Sequence, residues 1–147
     1  MASDTPAPAD VEQRLRSSFE RQRLMATLGA RLTRVEAGEV CIEMPFDPAH
    51  SQQHGHVHAG AITSIVDSAC GYAALSLMPA DREVVSVEFK VNFVSPARGS
   101  HFVAVGKVVK AGRTITVCTG EVWALEGERS KTVAVMQATM IAVSPAD

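Results

Sequence analysis

The chain is sparing with cysteine, has no surplus of basic residues and lacks a run apolar enough to cross a bilayer, and each shortage excludes something. Its three cysteines, Cys41, Cys70 and Cys118, are scattered, odd in number and form no CxxC pair. That argues against a disulfide framework and a four-thiolate zinc site, and fits a reducing cytoplasm. Fourteen Lys and Arg stand against sixteen Asp and Glu, for a net charge of −2. A general nucleic-acid binder gathers a basic excess on one face, so no nucleic-acid partner is expected. Residues 1–10 (MASDTPAPAD) have neither a basic opening nor an apolar stretch, so they read as a disordered tail and not as a secretory leader. From 59 to 80 Asp67 is the sole charge, but Thr63, Ser64, Ser68, Ser76, Gly60 and Gly71 interrupt the stretch and no basic residues flank it. A buried helix suits it better than a membrane span, and no membrane insertion is expected. Repeats and low-complexity segments are also missing.

What is there is a chain of 147 residues, 46% hydrophobic and 20% charged, which is the make-up of one globular domain spanning 11–147. Val11, Leu15, Phe19, Leu24, Met25 and Leu28 mark the buried stripe of a surface helix over 11–28, with Asp10 as N-cap and Gly29 as terminator. Two extended runs, 30–35 and 39–46, flank a Gly-containing gap and predict a hairpin. A long helix follows over 58–78, closed by Pro79 and apolar on nearly every face, so protein must surround it. Val85, Val87, Phe89, Val91 and Phe93 alternate with polar residues, which predicts a strand with one wet or interfacial face. Three more runs rich in Val, Thr and Ile complete the set: 101–109, 114–125 and 132–143. This segregated order predicts an α+β domain whose antiparallel sheet wraps around the 58–78 helix.

Asp67 is the first candidate for chemistry. A carboxylate midway along an oily helix is expensive to desolvate unless it is paired or opens on a cavity. Two readings remain: a structural Asp bonded to backbone or an arginine, and a general base or nucleophile at a wet cleft. The second candidate is the run from Gln52 and Gln53 through His54, Gly55, His56, Val57, His58, Ala59 and Gly60. Its histidines at period two could ligate a metal in an extended segment, but no second ligand cluster accompanies them and a tight turn fits better. The free N–H groups opening the helix suit an oxyanion or a polarised carbonyl, and small residues let a substrate approach. On one helix, nine residues place His58 and Asp67 on opposite sides and ~13 Å apart, too far to converge on one reacting group. Either one of the two is irrelevant to the chemistry, or a two-fold dimer brings each helix end to the partner's helix middle. Trp123, Phe89 and Phe93 read as core, His50 and His101 as surface or turn residues, and Cys70 as packing. Arg98, Lys110, Gly112 and Arg113 lie in turns, with phosphate contact as an alternative to solvated loops.

The motif Gly55-x-x-His58-Ala59-Gly60 followed by Asp67 resembles the G-x-x-H-G-G…D signature of hotdog-fold acyl-CoA thioesterases, in the phenylacetate-degradation (PaaI-like) branch. Residues 85–99 (VSVEFKVNFVSPARG) resemble that family's central strand and following turn, and Ala111-Gly112-Arg113-Thr114 its next turn. The likeness covers about 20–143. It implies a hotdog fold, hydrolysis of an acyl-CoA substrate, no cofactor and no metal. It also implies a homodimer with composite sites, pairing further into a homotetramer. By the same resemblance the catalytic residues are Asp67, Gln52, Ala59, His58 and Ser86: Asp67 is the nucleophile or the base, the Ala59 N–H after His58 polarises the thioester, Gln52 (or Gln53) orients the nucleophile or the thioester, and Ser86 positions water. Gly60, Gln53, Arg98, Lys110, Gly112 and Arg113 are expected to bind substrate, with Arg98, Lys110 and Arg113 assigned to CoA phosphates from their turn positions and not from the resemblance. One departure is Ala59, where relatives carry glycine. The N–H survives, but the methyl narrows the approach, which makes a non-catalytic acyl-CoA-binding module an alternative; an enoyl-CoA hydratase, which also needs an acid/base pair, is another.

Overall fold

The structure, a computed structural model, describes residues 6–145. In chain order the elements are α1 (Ala9–Glu20), α2 (Arg23–Thr27), β1 (Arg31–Glu36), β2 (Glu39–Pro45), a 3-10 turn (Pro48–His50), α3 (Ala59–Leu75), β3 (Glu83–Phe93), β4 (His101–Ala111), β5 (Ile115–Glu126) and β6 (Arg129–Val143). The strands form one antiparallel sheet in the order β1-β2-β4-β5-β6-β3. The sheet curves around α3, as expected for an α+β domain of this element order. Among the described residues no helix is long and apolar enough to cross a membrane.

Contact between α3 and the sheet depends on two glycines. A Cβ on Gly106 of β4 would overlap the Ala69 backbone, and one on Gly120 of β5 would press on Val66 and Cys70. The bare backbone at both positions lets the helix lie directly on the strands. Ile62, Ile65, Val66, Ala69 and Cys70 are then fully buried along α3. The Arg14 guanidinium of α1 donates to the Leu75, Met78 and Pro79 carbonyls at 2.7, 3.3 and 3.1 Å, placing positive charge where the α3 dipole is negative.

Several boundaries differ from the sequence expectation. The first helix begins at Ala9 with Pro8 as its N-cap, so Asp10 lies in the first turn and not at the cap. Pro6 bridges Glu36 and Ala7 is buried, so the expected tail is packed from residue 6; residues 1–5 of that tail lie outside the described residues. The 11–28 helix is two helices, broken at Arg21 and Gln22. The central helix stops at Leu75, because the Ser76 hydroxyl donates to the Ala73 carbonyl and accepts the Gly38 N–H. Phe89 and Phe93 are not core: they are 40% and 48% exposed on β3, which lies at the edge of the sheet.

The alternation along β3 also hides a bulge. Ser86 pairs with Met140 and Glu88 with Thr139, which leaves Val87 as the extra residue. A one-residue insertion reverses which face successive side chains point to. Before the bulge Ser86 shares the inner face with buried Met140; after it Phe89, Val91 and Phe93 share that face with Ala138, Met136 and Ala134. The bulge is what turns Ser86 toward α3.

Candidate functional site

Asp67 sits near the middle of α3 on the side facing β3. The Ser86 hydroxyl donates to its Oδ1 at 2.8 Å. Among the described residues no cation pairs with it. Burial pushes its carboxyl above the ordinary value of 3.8, and the Ser86 hydrogen bond only partly opposes that. The carboxylate opens on a cavity of about 160 Å³ that Ser18, Gln22, Gly71, Tyr72 and Ser86 also line. The arrangement is a half-desolvated carboxylate with one hydroxyl donor and an adjoining space, in place of a structural ion pair.

The second cluster forms the start of α3. His58 is its N-cap, and its Nδ1 accepts the Gly60 N–H at 2.8 Å. The Ala61 and Ile62 N–H groups donate to the His58 carbonyl at 3.0 and 3.3 Å. The Ala59 N–H donates to no group among the described residues. His58, expected among the catalytic residues, is placed here as the cap that orders the helix start. Gly60, expected to bind substrate, has its amide taken by that cap.

Ala59 opens on a different cavity of about 180 Å³, shared with Gln52, Ile62, Phe93 and Pro96. The Gln52 Oε1 accepts the His54 and His56 N–H groups at 2.6 and 3.2 Å, which folds the preceding loop and leaves the side-chain NH₂ as a donor. Gln52 therefore shares a cavity with Ala59, whereas Gln53 lines neither cavity. His54, His56 and His58 do not converge: among the described residues no three His, Cys, Asp or Glu side chains are placed to hold a metal.

The two clusters are separate within one chain. Ala59 and Asp67 are eight residues apart on α3, or ~12 Å along its axis, and their cavities share no residue. Ser86 lies near one end of β3 and Phe93 at the other. β3 has a free edge along which Val85, Val87, Phe89 and Phe93 are exposed by 51%, 55%, 40% and 48%.

The remaining candidates scatter. The Arg98 Nε donates to the His56 ring at 3.1 Å, beside the loop carrying Gln52. Gly112 closes the β4–β5 turn through its N–H to the Ile115 carbonyl at 2.8 Å. Arg113 lines a hollow with Arg82 and Thr114, while Lys110 lines neither the Asp67 nor the Ala59 cavity. Cys70 is fully buried and burial raises its thiol strongly, so it packs and does not attack. Sequence reasoning missed Ser18 and Gln22, which reach the Asp67 cavity from the N-terminal helices. Their four-residue spacing beside Leu15 and Phe19, a polar pair on the buried stripe, was the available signal.

Comparison with known proteins gives these features a context. The family model of the thioesterase superfamily matches residues 54–131. A crystal structure of a thioesterase family protein from Silicibacter pomeroyi is 47% identical, covering 92% of this chain and 99% of that one, with a TM-score of 0.90. Human acyl-coenzyme A thioesterase 13 is 25% identical over 118 residues, 78% of this chain and 81% of that protein. A protein assigned as an esterase in Saccharolobus solfataricus is 32% identical over 61% of this chain, and the chain spans 64% of that protein's length. The PaaI protein of the E. coli phenylacetic acid degradation operon shares the fold, with a TM-score of 0.81 at 20% identity over 92% of this chain and 95% of that one.

Proposed function

This chain belongs to the thioesterase superfamily, and from that premise we propose that it hydrolyses an acyl-CoA thioester to the free acid and CoA at a site shared between two subunits. The observation that carries the reading is Asp67: a carboxylate bonded by Ser86, without a cation, on a cavity. Asp67 attacks the thioester carbonyl carbon, giving an anhydride that water then opens, or takes a proton from the water that attacks; in either route the C–S bond breaks and CoA leaves as a thiolate that takes up the proton released from water. Burial raises its proton affinity, which suits a base, and the Ser86 hydroxyl holds one oxygen so that the other faces the cavity.

Negative charge then develops on the carbonyl oxygen. Within one chain the free Ala59 N–H is too distant to meet it. Antiparallel pairing of β3 with its own copy solves the geometry, because it sets the Ser86 end of one strand against the Phe93 end of the other. The Ala59 N–H of the partner subunit, at the positive end of a helix dipole, then faces the thioester beside Asp67. The Gln52 amide in the same cavity orients the thioester. The pairing also covers the apolar edge, which a lone subunit leaves as an aggregation hazard. Two such dimers form the tetramer. Arg98, Gly112 and Arg113 lie in loops, whereas Lys110, expected in a turn, is near the end of β4 and pairs with Val117; these four are the proposed contacts for CoA phosphates, and three buried free thiols suit a reducing cytoplasm.

The test is thiol release from short, branched and long acyl-CoAs by wild type and Asp67→Asn. The account expects a loss of roughly 10³-fold or more on the best substrate, with the dimer intact. Near-normal turnover by Asp67→Asn would refute it, and CoA binding without turnover by wild type would favour the non-catalytic module.

A further inference from the structure

The turn that carries Gln52 is gripped from outside by one arginine. We propose that Arg98 is a positioning residue: by clamping the His56 ring it fixes the turn that aims the Gln52 amide beside the Ala59 N–H. The inference rests on Gln52 and Ala59 as groups that meet the thioester, and it gives Arg98 a task beside phosphate contact.

The turn is small and largely closed on itself. Ser51 and Val57 bridge its base. The Gln52 N–H donates to the His56 carbonyl at 2.8 Å, and the Gly55 N–H to the Gln52 carbonyl at 3.0 Å. From Gln53 to His56, among the described residues, the one hydrogen-bonding partner outside the turn is Arg98. Its Nε donates to the His56 Nδ1 at 3.1 Å, and its Nη2 lies 3.2 Å from the His56 Nε2. The guanidinium therefore lies along both ring nitrogens and fixes the ring at two points.

A short relay of contacts leads on to the Gln52 amide. The His56 and His54 N–H groups donate to the Gln52 Oε1, so that oxygen is held by the backbone of the turn. What Gln52 has left to offer is its NH₂, and the turn sets the direction of that group. A turn that opened would free the Oε1, and the amide would lose its aim; small errors of placement are costly in rate.

Arg98 itself stands on a firm corner between β3 and β4. Ala97 is 9% exposed and its carbonyl accepts the Val57 N–H at 3.1 Å. A Cβ on Gly99 would strike the Leu125 carbonyl oxygen at 2.7 Å, so the corner is seated against β5. The turn and the corner together wall the Ala59 cavity, through Gln52 and His56 on one part and Ser95, Pro96 and Ala97 on another. Every one of these contacts lies within a single subunit. Lysine cannot replace the clamp: a point charge on a flexible stem attracts a phosphate, but it does not span two ring nitrogens.

The test measures kcat and KM separately, with the best acyl-CoA, for wild type, Arg98→Lys, Arg98→Ala, His56→Ala and the Arg98→Ala/His56→Ala double variant. Amide hydrogen exchange at His54 and His56 is followed in each. Arg98 is exposed and His56 partly so, and the variants are expected to fold. Arg98→Ala and Arg98→Lys should each lower kcat by about tenfold, the worth of one net hydrogen bond, with exchange faster by a similar factor. The double variant should match His56→Ala in kcat, because Arg98 acts through that ring. A rise in KM alone, rescued by lysine and with kcat within about twofold of wild type, would leave Arg98 a phosphate contact only and overturn the clamp. Unchanged exchange, or additive losses of kcat in the double variant, would overturn it too. Wild type that binds acyl-CoA without turnover would remove the enzymatic reading and the clamp's task with it, whereas an active wild type whose kcat ignores Arg98 removes the clamp alone.

Discussion

Ala59 offers a way to delete one backbone N–H without disturbing the helix that carries it. It is the first residue of α3, directly after the N-cap His58. Proline is favoured at that position, because its missing N–H is one that no intrahelical carbonyl would receive. The preceding residue must be extended, and His58 already is, with φ −60° and ψ 139°. The Gly60 N–H still reaches the His58 ring, so the cap survives. Ala59→Pro should therefore fold and melt much like wild type. Its effect on hydrolysis should be large, because removing one oxyanion donor costs about 10²–10³ in kcat, or roughly 2.7–4 kcal/mol of transition-state stabilisation. Ala59→Gly is the control, since it keeps the N–H, removes only the methyl and should stay active. The assay is thiol release at saturating acyl-CoA, with thermal melting and sedimentation alongside. If Ala59→Pro folded, dimerised and kept kcat within about fivefold of Ala59→Gly, the oxyanion assignment would be wrong.

Further expectations concern Asp67, the strand edge and the glycines. The Asp67 carboxyl is raised in the folded state, so its protonated form favours folding; that contribution is complete below the ordinary value of 3.8 and is lost as pH rises through the raised value. Urea titrations should thus find Asp67→Asn close to wild type in acid and more stable near neutrality, while wild-type kcat should fall as Asp67 protonates; the opposite trend would show that the carboxylate is stabilised. Phe89→Glu puts a charge near the middle of the free β3 edge, where two copies would face each other. It should yield folded monomers by sedimentation with hydrolysis down by about 10²-fold or more, and a stable active dimer would contradict the edge pairing. Gly71→Ala should gain about 0.5–1 kcal/mol in helix stability, because its Cβ meets nothing. Gly106→Ala should lose about 1–3 kcal/mol or more, because its Cβ overlaps the Ala69 backbone; equal effects in urea titration would refute the close-contact argument.

The fold could be read before the structure, and so could the two clusters that make up the candidate site, for reasons tied to particular residues. Asp67 stood out because a charge in an oily helix always needs explaining, and the His58–Ala59–Gly60 opening because a helix start must satisfy its amides. Ser86 came only from the family resemblance: simple alternation along β3 takes no account of the bulge at Val87 that turns Ser86 inward. Periodicity also marked Phe89 and Phe93 as one face without saying what covers it, and the structure puts that face at an open edge. The His58 ring has a partner close in sequence, the Gly60 amide, yet capping and catalysis look alike in a motif. The break that turns Gln22 toward Asp67 contains neither glycine nor proline, the residues that normally announce one, so only the polar spacing of Ser18 and Gln22 pointed to it.

The most direct measurement mixes two crippled chains. Asp67→Asn lacks the carboxylate and Ala59→Pro lacks the amide, so each homodimer should be nearly inert. In a mixed dimer one site receives Asp67 from one chain and the Ala59 N–H from the other, both intact, while the second site has neither. Random reassociation makes about half the dimers mixed, each with one of its two sites whole, so activity should recover to about a quarter of wild type. Activity that stayed at the sum of the two inactive parents, in dimers shown to have exchanged subunits, would place the whole reaction within a single chain and contradict the shared site.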